Sequence, residues 1–153
     1  MKAPQIVLFA TEDWLGHQLR EVAAGHRWLA RESRQLGAFT EQFEDRRPSI
    51  AIVPFDPAGV RPEVAEVVAR LASDHPEVAI VAVSESKIPE HHLPDWTAAL
   101  LDLGCRGVLF PPLTRAVLED LLGGLMHART ERMKWPAAEK AIDLATGGYE
   151  EAP

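Results

Sequence analysis

The chain has 153 residues, of which 46% are apolar and 25% charged, values that are typical of one globular domain and argue against disorder. Its formal net charge of −7 argues against a nucleic-acid-binding surface, and no apolar run approaches the ~20 residues that span a bilayer. A single cysteine excludes an internal disulfide framework, and the first apolar run is too short for a secretory leader, so we expect a cytoplasmic protein.

Short apolar runs alternate with helical patterns along the first half of the chain. Residues 5–10 predict a strand, and apolar side chains at helical spacing predict a helix from Trp14 to Gly25. A weaker, edge-like strand is expected at residues 27–32. Ser33 is a plausible N-cap for a second helix, which would run to the charged residues that end at Arg47.

The same alternation continues in the second half. Strands are predicted at 49–53, 78–83 and 107–110, and helices begin at Pro62, at Asp95 after a longer loop, and at Thr114. Strands that are apolar on both faces, each followed by an amphipathic helix, predict a parallel sheet covered on both sides. We therefore expect seven strand residues to be almost fully buried: Ile50, Ile52, Val53, Ile80, Val81, Val83 and Val108. Five such units in about 130 residues predict a flavodoxin-like, doubly wound fold with strand order 2-1-3-4-5.

The C-terminal residues break this pattern. Pro136, the Gly147-Gly148 pair and the acidic end are typical of a linker. We therefore expect one domain over residues 1–130 and a C-terminal extension or linker over residues 131–153.

The segment 100–113 carries a family resemblance. It predicts a helix end, a turn at Gly104, a short strand and a proline break. It resembles the end of a response-regulator receiver domain, in which a Gly-Ala-x-Gly-Tyr-Leu-x-Lys-Pro stretch carries the last strand. Residues 50–53 followed by Gly59 resemble that family's third strand and loop, and residues 81–84 resemble its fourth strand. The resemblance covers residues 4–130 and implies a receiver-like fold.

Receiver chemistry requires an acidic pair, an aspartate nucleophile, a hydroxyl and a lysine, because a metal ion and a cation must offset the charge at the phosphoryl group. The resemblance places the acidic pair at Ala10 and Thr11. It places the nucleophile at Pro54, the hydroxyl at Ser84 and the lysine at Pro111. Since only Ser84 keeps the required chemistry, the resemblance implies a degenerate member, a pseudo-receiver that is not phosphorylated.

Three carboxylates near the same strand ends leave an alternative open. Glu12, Asp13 and Asp56 could form a residual acidic site, in which Asp56 is phosphorylated or the three oxygens bind a cation. Against this, Asp56 before Pro57 is typical of a turn, and Glu12 and Asp13 suit the N-terminus of the first helix. The preferred interpretation has no cofactor and no bound metal.

The evidence for other reactive or metal-binding residues is weaker. Glu90, His91, His92 and Asp95 could bind a transition metal, but neighbouring histidines in such a loop are usually solvated. Cys105 occupies a position that suits a small buried residue, and we expect an inert thiol. The chain contains no nucleotide-binding or hydrolase motif, so we expect no enzyme.

The remaining signal is aromatic. The chain has more tryptophans than a small core usually needs: Trp14, Trp28, Trp96 and Trp135. We expect at least two of them to be partly buried in the core and others to anchor an interface. Analogy with the receiver family places the interface on the fourth helix, fifth strand and fifth helix. Its residues would include Trp96, Leu100, Arg106, Val108, Arg115, Glu119 and His127.

The function that we predict is therefore a phosphorylation-independent signalling domain. It would bind a protein partner, or a second copy of itself, through that face, with no nucleic-acid or membrane partner. Three alternatives remain open: a receiver that is still phosphorylated, a small-molecule sensor that binds at the strand ends, and the regulatory domain of a longer protein.

Overall fold

Strands and helices alternate along the chain. The computed structural model describes residues 2–9, 13–57 and 63–134, with only the backbone described at positions 13, 14 and 63. A short 3₁₀ turn, Glu90–His92, precedes the fourth helix. The other elements are β1 (Gln5–Phe9), α1 (Asp13–His26), β2 (Leu29–Ser33), α2 (Leu36–Glu41), β3 (Ser49–Phe55), α3 (Glu63–Asp74), β4 (Ala79–Ser84), α4 (Leu93–Leu103), β5 (Gly107–Leu109) and α5 (Arg115–Lys134).

The strands form one sheet in the order β2-β1-β3-β4-β5, and all four pairings are parallel. This confirms the predicted doubly wound fold. The strand order reverses between β1 and β3, which pair with Ile6 opposite Ile50. In such sheets, binding sites form beyond the carboxyl ends of the strands at this reversal.

Alternate strand residues point to opposite faces, so each face has its own core. Leu19 of α1 and Leu122 of α5 cover one face, whereas Phe39 of α2, Leu71 of α3 and Leu100 of α4 cover the other. Six strand residues predicted to be buried are each at most 1% exposed: Ile50, Ile52, Val53, Ile80, Val81 and Val83.

Val108 was expected to be equally buried, and that expectation is wrong. Its side chain is only partly buried, because β5 is a three-residue edge strand that pairs with β4 alone. The residue packs against the core from the margin of the sheet.

The predicted N-cap at Ser33 is also wrong. Ser33 is the last residue of β2 and pairs with Phe9 of β1. Its hydroxyl donates a hydrogen bond to the Gln35 carbonyl at 3.3 Å. The next helix, Leu36–Glu41, has Gln35 at its N-cap, without a side-chain capping bond. Pairing within the sheet therefore replaces the capping role that the sequence suggested.

Helix α5 extends beyond the domain boundary that the sequence suggested. It continues through residue 130 to Lys134, so the predicted boundary falls inside a helix. The buried Arg129, 7% exposed, ties this end of the helix to the loop before β4. The rest of the predicted extension, including Trp135, lies outside the described residues. Within the described ranges, no helix is long and apolar enough to cross a membrane.

Candidate functional site

The position that the resemblance assigns to the phosphoryl-accepting residue lies inside a strand. β3 continues through Phe55, two residues farther than the sequence suggested, and Pro54 pairs in register with Val83 of β4. The Pro54 ring is partly buried. A pyrrolidine ring has no oxygen that could accept a phosphoryl group, so this position lacks the nucleophile.

Ser84 keeps the hydroxyl of the receiver pattern, but that hydroxyl is not accessible. Ser84 ends β4 and is 0% exposed. Its Oγ donates to the Ser86 carbonyl at 2.7 Å and lies 3.4 Å from the Ser86 amide nitrogen. The hydroxyl is thus part of a local turn.

Three aromatic rings surround this part of the sheet, and we call Phe55, Trp96 and Phe110 the aromatic cluster. Phe55 is directly opposite Ser84, so both side chains point to the same face. Since Val83 pairs with Leu109, Phe110 comes level with Ser84 on the other side. Small Ser84 therefore lies between two large rings, whose centroids are 6.1 Å apart at an interplanar angle of 84°.

Trp96 completes the cluster from above the sheet. Its ring centroid lies 5.3 Å from that of Phe55, which is 3% exposed. Sequence reasoning missed Phe55 and Phe110 as members of this site. Both residues follow apolar runs in the sequence. With the register of the parallel strands known, their position next to Ser84 could have been predicted.

The lysine position of the receiver pattern holds a second proline. Pro111 follows β5 closely, is partly buried, and is joined to Pro112 by a cis peptide bond. It supplies no cation near the strand ends.

The alternative acidic site is described only in part. Ala10, Thr11 and Glu12 lie outside the described residues, and only the backbone of Asp13 is described, at the start of α1. Asp56 is exposed directly after β3, where its Oδ1 accepts a hydrogen bond from the Ser86 hydroxyl at 3.3 Å. This contact joins the loop after β3 to the loop after β4.

The other candidates for chemistry have ordinary environments. Within the described part of the chain, no group of three or more His, Cys, Asp or Glu residues could hold a metal ion. Glu90, His91, His92 and Asp95 are all exposed. Cys105 is 4% exposed, and burial raises the pKa of its thiol from 9.0 to about 12. The thiol is therefore protonated near neutral pH, as its predicted inertness requires.

Two residues of the predicted interface have contacts within the domain. Leu100 is 2% exposed and belongs to the core, because it faces the sheet from α4. Arg115 forms an ion pair with Glu21 of α1, so it faces α1 rather than α4. Glu119 is one helical turn from Arg115 and shares that side of α5. His127 is exposed on α5.

The remaining predicted interface residues lie nearer the edge of the sheet. Arg106 is exposed immediately before β5, and its backbone amide donates to the Ile80 carbonyl at 2.7 Å. On α5, Leu121 lies close to Gly107 of β5, and Val117 is one turn earlier on the same side. Val117 is 43% exposed and was missed in the sequence. We call Trp96, Arg106, Val108 and Val117 the edge face.

Trp28 and Trp96 are both partly buried against the core, as expected for at least two of the tryptophans. Trp28 also stacks on His26, with ring centroids 4.3 Å apart at an interplanar angle of 13°. The Trp14 side chain, like Trp135, lies outside the part of the chain that the structure describes.

Solved structures share this architecture. NtrX from Brucella abortus superposes with a TM-score of 0.69 at 14% identity, over 90% of this chain and 30% of that one. The signal receiver domain of an HD domain-containing protein from Pseudomonas fluorescens Pf-5 gives 0.66 at 13% identity, over 88% and 94%. The chain has the receiver fold. It spans about a third of the NtrX chain.

A third solved structure with this fold is named for pilus assembly. A putative pilus assembly-related protein from Burkholderia pseudomallei K96243 gives a TM-score of 0.59 at 21% identity, over 83% of this chain and 90% of that one. The sequence matches no family model and no curated protein. At these identities, the comparisons establish the receiver fold alone.

Proposed function

We propose that this chain is a signalling domain of the receiver type that works without phosphorylation. Its likeness to solved receiver domains supports the general role. The observation that carries the proposal is Pro54, paired into the β3–β4 ladder where a receiver needs its nucleophile.

The surrounding groups support the same conclusion. Transfer of a phosphoryl group to a carboxylate needs a cation near the acceptor, and Pro111 cannot supply one. The Ser84 hydroxyl is buried and hydrogen-bonded within its own turn. Asp56, the nearest alternative acceptor after β3, accepts a hydrogen bond from Ser86. Pro111, Ser84 and Asp56 therefore have structural roles at the strand ends, and together they do not provide the groups that phosphoryl transfer requires.

Without such chemistry, the domain acts through protein contacts rather than as an enzyme. The edge face supports this role because it combines exposed Arg106 and Val117 with the margins of Trp96 and Val108. Tryptophan and arginine are the residues that most often dominate binding energy at interfaces. The partner is another protein or a second copy of this chain.

Treatment with acetyl phosphate and Mg²⁺ tests the loss of phosphorylation. We expect an unchanged intact mass for the parent protein, and a typical receiver domain treated in parallel should gain one phosphoryl group. A gain of one phosphoryl group by this chain that is lost in Asp56→Asn would show that Asp56 has taken over the acceptor role, and the proposal would then be wrong.

A further inference from the structure

We infer that Phe55, packed against Phe110, is a positioning residue that holds Trp96 of the edge face, and with it the first half of α4, in one place. The inference rests on the proposed function, because it explains how that face is kept in one conformation without a phosphoryl group. These ring contacts lie at the carboxyl ends of β3 and β5.

The aromatic cluster joins three separate elements. Phe55 ends β3, Phe110 directly follows β5, and Trp96 lies in the first two turns of α4. Phe55 touches both of the other rings, at centroid distances of 5.3 Å and 6.1 Å. Because Phe55 is 3% exposed and anchored in a central strand, it is the fixed member.

The first half of α4 has little else to hold it. Its N-cap, His92, makes no side-chain capping bond, and the preceding turn Glu90–His92 contains no buried residue. The α4 residues that pack on the core are Trp96, Leu100 and Leu103, and only Trp96 belongs to the first half. The contact with Phe55 therefore determines where this end of α4 lies.

Small Ser84 makes the arrangement possible. Phe55 and Phe110 lie on strands that flank β4, and a large side chain between them would separate the rings. The Ser84 hydroxyl turns away into its bond with the Ser86 carbonyl. The hydroxyl that receivers use for phosphoryl contact thus serves here as a small spacer beneath an aromatic contact.

Hydrogen exchange of the full chain, followed by mass spectrometry, tests this role. In Phe55→Leu, amides of α4 should exchange about tenfold faster relative to those of β4, as expected for the loss of an aromatic contact. Phe110→Ala removes the ring packed against Phe55 and should raise this ratio in the same direction. Phe110→Tyr keeps a ring at a partly buried position and should restore the parent rate.

Phe43→Leu is the matched control. Phe43 is also 3% exposed on the same face of the sheet, but its aromatic contacts are with Phe39 and His75. It should not change the ratio of α4 exchange to β4 exchange. An unchanged ratio in Phe55→Leu, or an equal rise in Phe43→Leu, would overturn the positioning role.

A parallel experiment with beryllium fluoride and Mg²⁺ separates this inference from the proposed function. The parent protein should show no change in α4 exchange when they are added. A change that Asp56→Asn abolishes would contradict the proposed function, whatever the aromatic variants do. Conversely, if beryllium fluoride has no effect and the ratio of α4 exchange to β4 exchange is unchanged in Phe55→Leu, the positioning role alone is wrong.

Discussion

The Arg129 guanidinium donates a hydrogen bond to the Glu77 carbonyl at 2.9 Å and so joins the end of α5 to the loop before β4. These residues are 52 positions apart in the sequence. Arg129 is buried, whereas other cations near the end of the helix, such as Arg132 and Lys134, are exposed. The bond holds α5 across the amino-terminal edge of the sheet.

Arg129→Ala should therefore destabilise the protein by about 1.5–3 kcal/mol, the usual contribution of a hydrogen bond from a charged donor. Urea unfolding followed by circular dichroism measures this. Lys134→Ala is the control, since its pair with Glu131 is exposed and spans 3.9 Å, and it should change stability by less than about 0.5 kcal/mol. Equal effects of the two variants would contradict the role of the Glu77 contact.

Gly104 should be intolerant of substitution. It ends α4 with a φ of 120°, and an added Cβ would lie 2.8 Å from the Ala72 Cβ. Gly104→Ala should cost more than about 1 kcal/mol, measured as a lower urea midpoint. Gly25→Ala is the matched control in α1, where an added Cβ meets nothing within 4 Å, and it should be neutral or stabilising. A neutral Gly104→Ala would mean that the turn relaxes.

Because the pKa of the buried Cys105 thiol is raised, we expect the protein to lose stability at alkaline pH. Burial raises its pKa from 9.0 to about 12, so the folded protein keeps a proton that the unfolded chain releases above pH 9. Stability contributed by the neutral thiol is complete below pH 9 and falls as the pH rises towards 12, by at most about 1.4 kcal/mol per pH unit.

Unfolding measured from pH 8 to 11 checks this slope. In Cys105→Val the Cys105 contribution should disappear, so the curve of the variant should decline less steeply than that of the parent. Other alkaline groups titrate equally in both proteins and cancel in the difference. Parallel curves would indicate that the folded thiol titrates as it does in the unfolded chain.

Arg106→Ala should weaken association at the edge face by about 2 kcal/mol, the loss expected for a central arginine anchor. Sedimentation equilibrium measures self-association, and calorimetry measures an identified partner. Arg34→Ala is a control, because Arg34 is also exposed but lies beyond β2 at the opposite edge of the sheet. If Arg34→Ala weakens association and Arg106→Ala does not, the interface is at the other edge.

Much of the fold could be predicted because its signal is local. Continuous apolar runs such as those around Ile52 and Val81 identify strands that are buried on both faces. The positive φ of Gly104 matches the turn expected between α4 and β5. By contrast, Ser33 suits both a strand end and a helix cap, and only its pairing with Phe9 decides between them.

The candidate site was less predictable because it depends on long-range geometry. The places of Pro54 and Pro111 near the strand ends could be predicted from position alone. The contact between Phe55 and Trp96 joins residues 41 positions apart, which no local pattern reveals. Leu100 was expected at the interface but is buried in the core, because a helix periodicity does not state which neighbour each side of the helix will meet.

The two ends of α5 lie at opposite poles of the domain. Its 20 residues rise about 30 Å, from Arg115 near the exit of β5 to Lys134 beyond the Glu77 loop. A segment joined after Lys134 therefore starts at the pole opposite the strand-end site. Any influence of that site on Lys134 must travel about one domain diameter, through the body or the sides of the fold.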